Sequence, residues 1–126
     1  MNDDKVPRER LLELEAMRLD PTQFVIPKRA ANAVDFLALR RQAREAGLAN
    51  DSIEANERHA GPSNTRITCR PAMALLLIEA LRVVATQAES KHDGDLLIAS
   101  AVGVKAAFNA LDRVTPRKIW TEPELR

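Results

Sequence analysis

The stretch P-A-M-A-L-L-L-I-E-A-L-R-V-V-A-T-Q-A, from Pro71 to Ala88, decides how this chain is built. Glu79, Arg82, Thr86 and Glu89 follow one another at spacings of three, four and three, which lines them along one edge of a helix. Every other face carries Met73, Leu75, Leu76, Leu77, Ile78, Leu81, Val83 or Val84. A helix with so narrow a polar stripe must be covered on most of its circumference. It reads as the central strut of a helical domain or as the seam of an oligomer.

Composition points the same way. The 126 residues suit one domain with a core of its own. The aromatic residues are Phe24, Phe36, Phe108 and Trp120, and tyrosine is absent, so the core must be built from Leu, Val, Ile and Ala. Strand-rich domains lean on β-branched and aromatic residues, and this balance favours helices. A lone cysteine, Cys69, excludes an internal disulfide framework and fits a reducing compartment. The N-terminal M-N-D-D-K-V-P-R-E-R has no apolar run and does not read as a secretory signal. The apolar part of 71–88 falls short of the roughly 20 residues that a bilayer requires. A cytoplasmic, non-membrane protein is expected.

Outward from 71–88, a first helix is expected over about 5–19, capped by Asp4 and stopped before Pro21. T-Q-F-V-I-P, at 22–27, reads as an extended connection or a short strand. Pro27 opens a second helix over 28–46 that ends at Gly47. Residues 47–70 are irregular, with a weak helical turn near 52–59 suggested by the capping-box spacing of Asp51 and Glu54. K-H-D-G-D, after Ser90, reads as a break, with Asp95 capping a last helix over 96–113. In that helix Leu97, Ala101, Val104, Phe108 and Leu111 recur at four, three, four and three, a heptad-like stripe.

The net charge of +1 gives no global field for nucleic acid. Residues 28–44 are locally basic, with Lys28, Arg29, Arg40, Arg41 and Arg44 against Asp35. They are candidate contacts for an acidic partner, and Trp120 in the tail is a candidate anchor. The string D-L-L-I-A-S-A-V-G-V-K-A-A-F-N-A-L-D-R resembles a helix-turn-helix in its first part. A recognition helix after Gly103 would present Lys105, Asn109 and Arg113, with Arg117 and Lys118 beside it, to the bases and phosphates of DNA. The unbroken phase of the heptad stripe through Gly103 opposes a turn there.

Cys69 sits between Arg66 and Arg70 ahead of a helix, a setting that favours thiolate, but no base is recognisable beside it. His92, Asp93 and Asp95 form a small His-carboxylate group without further ligands at metal spacing. No G-x-S-x-G, H-E-x-x-H or phosphate-loop pattern occurs.

The expectation is an all-α fold. It is a compact four- to five-helix bundle in one domain over 1–126, with tails at 1–4 and 115–126. An antiparallel hairpin of 71–90 and 96–113 closes it. The expected function is that of a small non-enzymatic regulatory or adaptor protein acting through protein contacts as a homodimer, without cofactor or metal. The interface falls on the small-residue face of 99–107 or on the central helix. The alternative is a DNA-binding transcriptional regulator that uses the degenerate motif at 96–113.

Overall fold

A computed structural model of the chain describes residues 6–114, with side-chain burial described through Ala110. Eight elements follow one another: α1 (Arg8–Ala16), β1 (Thr22–Pro27), α2 (Lys28–Ala33), α3 (Phe36–Glu45), β2 (Ile53–Asn56), β3 (Asn64–Cys69), α4 (Pro71–Thr86) and α5 (Lys91–Val114). The all-α expectation is therefore corrected to a mixed fold, in which helices share the core with a three-stranded antiparallel sheet of order β1-β3-β2.

The sheet forms because β3 alternates. Thr65, Ile67 and Cys69 are buried, while Asn64, Arg66 and Thr68 are only partly so. Opposite them in β1, Phe24 pairs across from Ile67 and Ile26 across from Thr65, and both side chains are buried. The outer face carries Gln23 and Val25 from β1 and Glu54 and Asn56 from β2. One face on the core and one in water is the common state of an antiparallel sheet.

β2 replaces the helical turn expected near 52–59. Four residues with only Ile53 and Ala55 apolar are too few to nucleate an isolated helix, and the edge of β3 offers them backbone partners. Local side chains bracket the strand. Asn50 Oδ1 accepts the Ser52 N–H at 2.9 Å, and Asn56 Oδ1 accepts the Arg58 N–H at 3.2 Å. Asp51, the expected cap, is turned instead toward Arg40 and Arg44.

The expected helix over 28–46 is two helices. Val34 is extended, with φ −101° and ψ 133°, and Asp35 caps α3 by accepting the Ala38 N–H at 3.0 Å. An Asp in mid-pattern thus acts as a start signal. The end at Gly47 is as expected. Gly47 has φ +93°, its N–H reaches Arg44 O, and the Leu48 N–H reaches Ala43 O, both at 3.0 Å. That pair of bonds is a Schellman cap.

α4 is buried without interruption from Pro71 to Ile78, and again at Leu81. Its own chain covers it: α5, α1, α3 and α2 all pack against it. No second copy is needed for this helix. α5 starts at Lys91, earlier than expected, because Ser90 Oγ accepts the Asp93 N–H at 3.1 Å and caps it. Asp95 is therefore inside the helix, not its cap. The first turn of α5 lies against the end of α4: a Cβ at Gly94 would meet Ala85 O at 3.4 Å, the edge of ordinary contact. Leu97, Ala101, Val104 and Phe108 are all buried, as their stripe implies, and Phe108 meets Phe24 of β1 edge-on with ring centroids 5.8 Å apart. Among the described residues no helix is long and apolar enough to cross a membrane.

Two backbone positions give opposite predictions. A side chain at Gly47 would take the left-handed conformation and crowd Arg8 Nη2 at 3.3 Å, so Gly47→Ala is expected to cost about 1–2 kcal/mol in chemical denaturation. Arg18, with φ 53°, occupies the equivalent position after α1 without being glycine. Arg18→Gly is expected to raise stability by about 0.5–1 kcal/mol in the same assay.

Candidate functional site

The basic residues of 28–44 do not form a free patch. Lys28 Nζ lies 2.8 Å from Glu57 Oε1, and Arg29 Nη2 pairs with Asp93 Oδ1. Arg40 and Arg44 share one carboxylate oxygen, Asp51 Oδ2, at 3.5 and 3.3 Å. Arg41 is exposed, and no acidic group pairs with it among the described residues. The exposed pairs at Lys28 and Arg29 stabilise by roughly 0–1 kcal/mol each, and the four cations are partly neutralised by these acids. The acids come from three separate segments, β2–β3, α5 and the loop before β2. This is why nothing within 28–44 itself announces them.

Other charges tie irregular backbone to helices. Glu15 accepts the N–H groups of Ala49 and Asn50 through its two oxygens, at 2.8 and 3.0 Å. Arg8 Nε donates to Ala46 O at 2.8 Å, satisfying a carbonyl at the end of α3. Glu79, on the polar edge of α4, accepts the Val6 N–H at 2.7 Å. It does not pair with Arg82, which is exposed.

The helix-turn-helix geometry is not formed. α5 runs as one helix through Gly103. Lys105 is turned inward, only 7% exposed, and Asn109 is half-buried with its Oδ1 enclosed. The side chain of Arg113, and all of Arg117, Lys118 and Trp120, lie outside the described residues. No surface for reading bases is assembled from Lys105 and Asn109.

Cys69 is 2% exposed on the inner face of β3. Burial pushes its thiol from the ordinary value of 9.0 up to about 12. Desolvation outweighs the neighbouring arginines, since Arg70 Nε is engaged with Leu19 O and Arg66 Nη2 with His59 O. A thiol held in this way is a core side chain and a poor nucleophile. His92 is exposed, Asp93 is held by Arg29, and no group of three or more metal-ligating side chains occurs among the described residues.

What remains conspicuous is the outer face of α5, which includes the small-residue face of 99–107. Ile98 is 45% exposed and Val102 58%, and Ala99, Gly103, Ala106 and Ala110 are exposed with them. Lys105 is the sole charge between Asp95 and Asp112, and it is buried. The signal lay in that run of uncharged residues, which is too long for a helix with one face in water. Ile98 also borders a shallow hollow between the end of α4 and the start of α5, with Ala85, Thr86 and Gly94. Set against protein-family models, curated proteins and solved structures, the chain gives no significant match.

The buried thiol gives a pH prediction. Below pH 9.0 folded and unfolded chains both hold the proton, and the contribution of Cys69 is fully present. As pH rises from there toward about 12, only the unfolded chain ionises, so this contribution is lost. Relative to Cys69→Ala, the unfolding free energy of the native sequence is expected to fall by about 1.4 kcal/mol per pH unit in that window, measured by urea titration. Parallel curves for the two proteins would contradict the burial of this thiol.

Proposed function

We propose that this chain is a small non-enzymatic regulatory or adaptor protein that acts by holding a protein partner on the outer face of α5. The observation that carries the reading is the exposed Ile98–Val102 face, uncharged over four turns of a helix whose opposite side is fully used by the core. Apolar surface gathered in one place on a folded domain marks a contact site, whereas single scattered apolar residues do not. The basic groups at 28–44 support the fold through their own acids and contribute less to partner binding than their number suggests. Arg41 is the member left to meet a partner at the rim.

The reading is tested by capture from extracts of the source cell with immobilised native protein and with Val102→Asp. Both variants should melt at nearly the same temperature, because Val102 makes little contact with the core. Val102→Asp is expected to lose the bound protein, whereas Arg41→Ala is expected to weaken capture by a few-fold at most. Equal capture by native protein and Val102→Asp would sink the proposal. Titration with duplex DNA at low salt addresses the DNA-binding alternative, since phosphate-driven association is strongest there. No binding is expected.

A further inference from the structure

We infer that the hollow between the end of α1, the loop before β2 and Arg70 is a binding site for the phosphate group of a small organic monoester. It shares no residue with the Ile98–Val102 face, and it stands or falls apart from the reading that α5 holds a protein.

The hollow has a volume of about 420 Å³, within the range of small-molecule sites. Leu12 and Ala16 give it an apolar side, and Arg18, Asn50 and Arg70 bring polar groups to it. Its charges are not balanced. Arg10, Lys28, Arg29, Arg40 and Arg44 each lie within ion-pair distance of an acid. Arg18 and Arg70 meet no acid at that distance among the described residues. Glu15, the acid on the wall, has its two oxygens on the Ala49 and Asn50 N–H groups. The hollow thus carries two guanidinium groups against one carboxylate that is already engaged.

The donors are held in place but not used up. Arg70 gives its Nε to Leu19 O at 3.2 Å, which orients the guanidinium and leaves both Nη groups without a partner among the described residues. Asn50 Oδ1 accepts the Ser52 N–H, so its Nδ2 group remains to donate. Arg18 makes no side-chain hydrogen bond among the described residues. Three donor groups from three separate segments therefore border one space. A carboxylate presents two oxygens in one plane and a single charge. A phosphate monoester presents three oxygens in three directions and close to two charges, which suits two guanidinium groups and an amide. The wall of Leu12 and Ala16 takes the organic part of the ester. Arg18 also holds φ 53°, where a glycine would sit without strain. Strain kept at a residue whose side chain makes no polar contact inside the fold is accounted for by a task outside it.

Calorimetric titration of the full chain with phenyl phosphate, inorganic phosphate and benzoate tests this, with amide NMR shifts to place the ligand. Phenyl phosphate is expected to bind about tenfold more tightly than either of the others and to move the Ala49, Asn50 and Arg70 N–H signals. Arg18→Gly is the decisive variant, because it should melt no lower than the native protein and yet bind phenyl phosphate at least about tenfold more weakly. Arg70→Lys keeps the charge without the fork and should lose a similar factor. No heat and no shifts at about 10 mM phenyl phosphate, or binding that Arg18→Gly leaves unchanged, overturns the inference. Benzoate bound as tightly as phenyl phosphate would make this a carboxylate site and overturn the phosphate assignment. Capture by vesicles containing phosphatidate, without binding of phenyl phosphate, would put the phosphate on a lipid surface, and the inference fails.

Discussion

From Pro71 to Ile78 every side chain of α4 is buried, and Leu76, Leu77 and Leu81 are at most 1% exposed. Each leucine so buried contributes about 1.5–3 kcal/mol, and none of that is gained unless neighbours close round the helix. One amphipathic helix covers only part of such a surface, so several elements must converge on it. The chain answers with α5 on one side and α1, α3 and α2 around the rest. The arrangement of the remaining elements follows from that demand. β3 leads directly into α4 through Cys69 and Arg70, and the buried face of the sheet continues the core that α4 and α5 begin.

Charge is spent on joining. Glu15, Arg8, Asp35 and Glu79 each bind backbone groups, two of them at helix ends. Lys28, Arg29, Arg40 and Arg44 are each matched by an acid from a distant segment. A buried or half-buried carboxylate that accepts N–H groups holds a loop with more precision than an exposed ion pair does. The polar side chains of this protein therefore explain how irregular segments such as 46–52 are held, and among the described residues they leave the Ile98–Val102 face of α5 exposed.

Much of this was legible in the residues. The burial of α4, the stripe from Leu97 to Phe108 and the end at Gly47 all rest on local periodicity or local backbone need, which a sequence carries openly. The sheet was not. β1 showed itself as extended, but β2 has only Ile53 and Ala55 as apolar residues, and its pairing with β3 is a contact between segments distant in the chain. Asp35 and Ser90 act as helix caps inside stretches whose composition suits either continuation or a break. Lys105 misled most. A lysine on a helix is read as exposed, and only the packing of α5 shows it turned inward, which strips the outer face of its one charge.

The central strand of the sheet is also its last in sequence. β1 and β2 do not touch each other and pair only through β3. While the chain is being made, both earlier strands wait without a ladder until Cys69 has been added. Neither strand carries a long apolar run, and β1 is bracketed by Pro21 and Pro27, residues that cannot donate to a stray neighbour. Until β3 exists, Pro21 and Pro27 leave the two ends of β1 with no N–H to offer a stray strand.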